Sequence, residues 1–228
     1  MPSDHRQLQL IFGGSFDPIH EGHLAVIARL QQQCPDAVIH IMPNHHSPGK
    51  KEQVSATHRL AMIKACVRSL PQLKVLIDES ELQRPAPSYT LDTLKHLRSC
   101  YPTDSLAWVM GDDVVNTFHQ GHWDGWQKLL SEGHLYIMMR SGLQMATDVQ
   151  RFLEPRVVPS ANDLFSTTMG SVVIDTTFTP VEISATSIRQ KLESMPVESI
   201  SGLALPCKKY IRAHQLYGCE HFPNTRLS

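Results

Sequence analysis

The sequence predicts an α/β protein, a parallel sheet covered on both faces by helices. Short apolar runs alternate along the chain with segments of helical periodicity, the order that yields parallel strands joined by crossover helices. No internal repeat or low-complexity stretch interrupts the alternation. The 228 residues, 41% hydrophobic and 19% charged, suffice for one sizeable core with a small C-terminal helical portion.

Leu8 to Phe12 forms a short apolar strand that breaks at Gly13-Gly14. After a turn containing Pro18, a helix runs from about Gly22 to Gln33, with Leu24, Ile27, Ala28 and Leu30 at helical spacing. Pro35 stops it. Ala37 to Met42 is a second strand, ending at Pro43-Asn44 before a polar loop from His45 to Lys51. A second helix is predicted from Ser55 to Leu70, with Ser55 as N-cap and Leu60, Ile63 and Val67 on its apolar face. Leu73 to Ile77 is the third strand, and Ser88 caps a helix to about Arg98 carrying Leu91, Leu94 and Leu97. Leu106 to Met110 and Leu135 to Met139 are the fourth and fifth strands. Between 141 and 170 the periodicity fades, and a helix from Met145 to Leu153 with a mobile loop is expected. Val172 to Ile174 is the sixth strand, Ser184 opens a helix to about Ser194, and a last helix covers Pro206 to Leu216. Residues 1–218 read as one unit and 219–228 as a disordered tail.

A net charge of -1 gives no global basic field, so no nucleic-acid partner is expected. The apolar runs are too short to span a membrane, and the N-terminus lacks a secretory signal. Cys34, Cys66, Cys100, Cys207 and Cys219 show no CxxC spacing and read as reduced thiols of a cytoplasmic protein, several of them buried.

The chemistry gathers first at the glycine break. A strand, a glycine turn and a helix start bring backbone N–H groups and the positive helix end to one place. His20 and His23 stand where that helix begins. Taken alone they fit core histidines, helix-start donors, part of a metal site or a phosphate site; zinc would need further ligands that no spacing supplies. The full string Gly13-Gly14-Ser15-Phe16-Asp17-Pro18-Ile19-His20-Glu21-Gly22-His23 resembles the nucleotidyltransferase superfamily pattern Gly-Gly-Ser/Thr-Phe-Asp-Pro-x-His-x-Gly-His. The resemblance implies a doubly wound, Rossmann-like sheet with this turn at its C-terminal edge, and both histidines facing the triphosphate of a nucleotide. A nearby polyanion would favour protonated histidine, which donates two hydrogen bonds. Asp17 is expected to shape the turn by bonding local backbone N–H groups.

Near the other end, Ile183-Ser184-Ala185-Thr186-Ser187-Ile188-Arg189 is similar to the superfamily's Ile-Ser-x-Thr-x-Ile-Arg, a second helix start aimed at the phosphates. The resemblance implies that Gly13, Gly14, Ser15, Phe16, His20, His23, Lys50, Ser184, Thr186 and Arg189 meet ATP, with His20, His23 and Arg189 catalytic. Where relatives carry Pro-Pro-His-Lys, this chain has Ser47-Pro48-Gly49-Lys50, so Gly49 replaces the loop histidine and His45 or His46 is left to substitute.

The run Glu81-Leu82-Gln83-Arg84 followed by Ser88-Tyr89-Thr90 narrows the resemblance to the nicotinate-nucleotide adenylyltransferases, as does Gly111-Asp112-Asp113 followed by Phe118 and Trp123. The closing segment Tyr210 to Tyr217 fits the same family. The implied reaction is adenylyl transfer from ATP to nicotinate mononucleotide, with Mg²⁺ held mainly by phosphates and water. Tyr89, Thr90, Leu91, Asp113 and Trp123 would meet the acceptor nucleotide, with Trp126 the alternative stacking residue. A monomer or homodimer is expected. The alternatives are an enzyme acting on nicotinamide mononucleotide and a non-catalytic nucleotide-binding module.

Overall fold

The computed structural model describes residues 6–45, 54–84, 89–120, 123, 125–139 and 145–221. Its strands are β1 (Leu8–Gly14), β2 (Val38–Pro43), β3 (Val75–Ile77), β4 (Ser105–Gly111), β5 (His134–Met138) and β6 (Val172–Asp175). Its helices are α1 (Glu21–Gln33), α2 (Ala56–Val67), α3 (Thr90–Cys100), α4 (Asp112–Val115), α5 (Thr147–Leu153), α6 (Ala185–Leu192) and α7 (Leu205–Ala213). The strands form one sheet in the order β3-β2-β1-β4-β5-β6, and every pairing is parallel. The order reverses between β1 and β4, where crossovers leave to opposite faces and a crevice opens above the carboxyl ends of the strands.

The two-residue period of the strands divides the core into two layers. Leu10, Ile39, Ile41, Val109 and Tyr136 face one side, where α1, α2, α6 and α7 cover them. Ile11, Met42, Trp108, Met110 and Ile137 face the other, under α3, α4 and α5. The expected doubly wound architecture is present.

Several expectations are corrected. The buried face of α2 is Arg59, Met62, Ile63 and Cys66, not the Leu60, Ile63, Val67 stripe; the helix ends at Val67, and Ser55 caps it by accepting the His58 N–H at 3.4 Å. The third strand is only three residues long. The last helix stops at Ala213, because Gln215 and Tyr217 take positive φ. In place of a mobile loop, residues 145–170 hold α5, short 3-10 turns at Glu154–Arg156 and Ala161–Phe165, and a bridge between Val157 and Val172. Short 3-10 turns lack a period long enough to read from sequence. Cys219, assigned to the tail, is buried, and its thiol points to the Ile211 carbonyl at 3.6 Å. Residues 222–228 lie outside the described residues. Four of the five cysteines, Cys34, Cys66, Cys207 and Cys219, are buried, and Cys100 is exposed.

A fork of hydrogen bonds ties α1 to the end of β6. Arg29 Nε and Nη2 donate to the two Asp175 carboxylate oxygens at 2.8 and 3.1 Å, and the Thr177 N–H donates to the same carboxylate at 3.0 Å. Burial alone would raise the Asp175 pKa, but the donors override it and hold the group at about 2. Asp78 behaves alike: burial opposes ionisation, His40 and Ser80 favour it, and the pKa settles at about 2. Both are depressed below the free aspartate value near 3.9, so their stabilisation is complete above about pH 4 and is lost as pH falls toward 2. We expect the urea midpoint to drop across that window. Asp175→Asn should remove its share, about 2 kcal/mol, at neutral pH and little at pH 2; an equal loss at both pH values would refute the assignment.

Candidate active site

The first crossover shapes one wall of the crevice. Gly13 lies beside the Trp108 ring of β4, and a Cβ there would stand 2.7 Å from a ring carbon. The absence of a side chain is what lets the end of β1 run flat past its neighbour. Phe16 then adopts φ 49, and the Asp17-Pro18 bond is cis. The Phe16 ring is buried and meets His23 edge-on at 4.9 Å and Phe12 at 5.5 Å. Its ring props the turn from beneath, so Phe16 offers a ligand only its backbone.

His20 is the N-cap residue of α1, and His23 sits in the first turn. Their rings stack with centroids 3.7 Å apart. The His20 backbone N–H donates to His23 Nδ1 at 3.2 Å, which places the neutral ring's proton on Nε2. A Cβ on Gly22 would approach the His20 ring to 3.0 Å, so glycine there lets the imidazole fold over the helix start. Burial lowers the His20 pKa to about 4, and its Nδ1 is buried with no hydrogen-bond partner among the described residues.

The opposite wall comes from α6. Ser184 caps it by accepting the Ser187 N–H at 3.1 Å. Arg189, one turn in, donates through Nη1 to the Asp17 carbonyl at 2.7 Å and through Nη2 to Thr186 Oγ1 at 3.1 Å. Its Nε is also buried and unpartnered among the described residues. The two distant motifs therefore meet at residue 17.

Arg59, which the sequence reading passed over, holds the floor. It is fully buried and donates to the Ser15 carbonyl at 2.6 Å and to the Asn44 and His45 carbonyls at 2.9 and 3.0 Å. The Asn44 N–H in turn donates to the Gly14 carbonyl at 3.0 Å. A signal existed: an arginine at the 59, 62, 63, 66 spacing puts a cation on a buried helical face, and a buried guanidinium needs several acceptors. His45 is exposed. His46, Gly49 and Lys50 lie outside the described residues.

Beyond the switch point, Tyr89 is the N-cap residue of α3 and makes no side-chain cap bond; the cap falls one residue later than Ser88, which lies outside the described residues. Thr93 donates to Glu81 Oε1 at 2.5 Å and accepts from Arg84 Nη2 at 2.6 Å, fastening the Glu81–Arg84 run to the first turn of α3. Thr90 and Leu91 occupy that turn, half-buried. Asp113 is exposed at the start of α4, its N–H donating to the buried Asp112 carboxylate at 2.9 Å. Trp126 is buried, stacked on Phe118 at 5.0 Å, whereas Trp123 is half-buried and tilted against Phe118 at 5.3 Å. Trp126 serves the core, and Trp123 keeps part of its surface exposed. Instead of bonding local backbone alone, Asp17 accepts from the Tyr217 hydroxyl at 2.6 Å. No group of three His, Cys, Asp or Glu among the described residues could hold a metal ion. No described helix is long and apolar enough to cross a membrane.

A fully parallel, doubly wound sheet with a histidine-bearing helix start at its first crossover defines a Rossmann-like nucleotidyltransferase fold. A family model described as cytidylyltransferase-like matches residues 11–191. Proteins named "Probable nicotinate-nucleotide adenylyltransferase" match nearly end to end. The one from Pectobacterium atrosepticum is 34% identical over 223 residues, 95% of this chain and 100% of that one. The one from Pseudoalteromonas atlantica is 32% identical over 211 residues, 91% and 93% of the two chains. The structure of Plasmodium falciparum nicotinic acid mononucleotide adenylyltransferase complexed with NaAD superposes with a TM-score of 0.71 at 17% identity, covering 95% of this chain and 100% of that one. The chain belongs to the cytidylyltransferase-like family and, within it, to the nicotinate-nucleotide adenylyltransferases.

The low pKa makes His20 neutral in the free protein. In an NMR titration its ring resonances should stay constant from pH 8 to about pH 5 and move only toward pH 4. Titration near the ordinary histidine value of about 6.5 would overturn the burial argument.

Proposed function

We propose that this enzyme transfers the adenylyl group of ATP to nicotinate mononucleotide, releasing nicotinate adenine dinucleotide and pyrophosphate, in the cytoplasm as a step of NAD biosynthesis. The observation that carries the reading is the meeting of the His20–His23 turn with Arg189 through the Asp17 carbonyl. Two buried donor-capable atoms there, His20 Nδ1 and Arg189 Nε, have no partner among the described residues. A triphosphate is a ligand that matches such a set.

An oxygen of the acceptor's phosphate attacks the α-phosphorus, and the bond to the bridging oxygen of the β-phosphate breaks as pyrophosphate leaves. A phosphate monoester has a second pKa near 6, so the nucleophile is mostly dianionic at neutral pH and needs no general base. The protein's work is positioning and charge stabilisation. Gly13, Gly14, Ser15 and the Phe16 backbone approach the phosphates, with Lys50 from the β2 loop and Ser184 and Thr186 from the start of α6. His20, His23 and Arg189 offset charge on the triphosphate and on departing pyrophosphate. Binding of the polyanion shifts the His20 pKa upward from its free value and so favours the protonated ring. No described cluster of side chains would hold a metal, so a divalent cation such as Mg²⁺ would be held mainly by the nucleotide's phosphates and water, where it would supply charge neutralisation.

The start of α3 receives the acceptor. Its outward N–H groups near Tyr89, Thr90 and Leu91 favour a nicotinate carboxylate over a neutral carboxamide, which brings N–H groups of its own. Trp123 stacks on the pyridine ring and Asp113 meets the nucleotide.

Pyrophosphate release with ATP, Mg²⁺ and each acceptor in turn tests the reading. Nicotinate mononucleotide should turn over fastest; preference for nicotinamide mononucleotide, or no release with either, would refute it. His23→Ala should lower kcat by about 10²- to 10³-fold while the circular dichroism spectrum is retained. Wild-type turnover in that variant would remove His23 from the reaction.

A further inference from the structure

We propose that Tyr217 is a positioning residue for adenylyl transfer: its hydroxyl, acting through the Asp17 carboxylate, sets the turn that presents His20 and His23. This rests on the function proposed above.

Beyond α7 the chain doubles back. Gln215 and Tyr217 adopt φ 51 and 59, a left-handed conformation that side-chain-bearing residues take reluctantly, and Gly218 follows at φ 75. That bend carries the Tyr217 ring into the layer that also holds Phe16, Ile19 and Ile188. The hydroxyl then reaches Asp17 Oδ1 at 2.6 Å, with both residues buried. Burial, reinforced by the neighbouring carboxylate, pushes the phenol pKa far up, so the group remains a donor at any working pH.

Asp17 is thus held twice by the far end of the chain, its carboxylate by Tyr217 and its carbonyl by Arg189. Two further bonds secure the residues on either side of His20: the Cys207 thiol donates to the Ile19 carbonyl at 3.5 Å, and the Glu21 N–H donates to the Gly202 carbonyl at 2.8 Å. Of these four contacts, only the Tyr217 bond joins two side chains, so it can be removed while the main-chain contacts stay. A tyrosine with a purely packing role would need neither the hydroxyl nor the strained bend that delivers it.

The test is Tyr217→Phe, which keeps the ring and deletes one oxygen, alongside Asp17→Ala and the double variant. Each is assayed at 25 °C, below its unfolding transition, with the His20 and His23 ring resonances recorded in the free protein. Tyr217→Phe should lower kcat about 10-fold, shift those resonances and leave the KM for nicotinate mononucleotide unchanged. The double variant should be no slower than Asp17→Ala alone, since both deletions break one contact. A folded Tyr217→Phe protein with wild-type kcat and unmoved resonances, or with only a lower Tm, overturns the proposal, as does additivity in the double variant. Should Asp17→Ala fail to fold, the Tyr217→Phe kinetics and resonances decide alone. A wild-type protein that releases no pyrophosphate refutes the transfer reading instead, and the ring resonances still decide whether Tyr217 sets the turn.

Discussion

A carbonyl at residue 17 accepts a hydrogen bond from a guanidinium 172 positions later, and the geometry of the crevice depends on that crossing. A parallel sheet of this order separates the chain's early and late helices along the sequence but brings them to the same face of the core. Without a direct bond, the glycine turn and the start of α6 would be two independent helix entrances. Joined, they form one donor surface. The bond is charge-assisted, and a guanidinium fork has donors to spare, so Arg189 grips its own backbone while its Nε has no partner among the described residues.

Arg59 shows the same economy on the floor of the crevice. A buried guanidinium is costly unless acceptors surround it, and here the acceptors are carbonyls of the two segments that must be aligned. Desolvation makes the arrangement selective, because displacing either segment would leave a buried charge short of partners. The turn after β1 and the end of β2 are therefore held at a fixed spacing by a residue from a third element. Tyr217 adds a clasp on the same turn from the C-terminal end of the chain, through Asp17.

The two core layers divide the labour. The elements around the glycine turn pack on one face of the sheet, with α6 and α7. Leu91, Phe118 and Trp123 belong to the other face, with α3 and α4. The reversal of strand order between β1 and β4 is where a ligand could reach both halves. Burial holds the His20 imidazole below its ordinary pKa, and a nearby anion would shift it back toward the protonated form.

Read in one dimension, the chain already declared its parallel α/β class, most strand positions, the Ser55 and Ser184 caps and the histidine and arginine motifs. Each of these rests on local spacing: apolar runs, helical periods and cap residues act over a few positions and leave a direct trace. For α2 the spacing of Met62, Ile63 and Cys66 hinted at the buried face, but only the tertiary structure supplied the carbonyls that let Arg59 share it. It also decided that Trp126 fills the core while Trp123 stays accessible, because two tryptophans in one irregular stretch carry no period to distinguish them. The partners of Asp17 likewise came only from the fold. A hydrogen bond between residues 17 and 217 depends on where a sheet and two helices deliver their ends, and no local spacing encodes that distance.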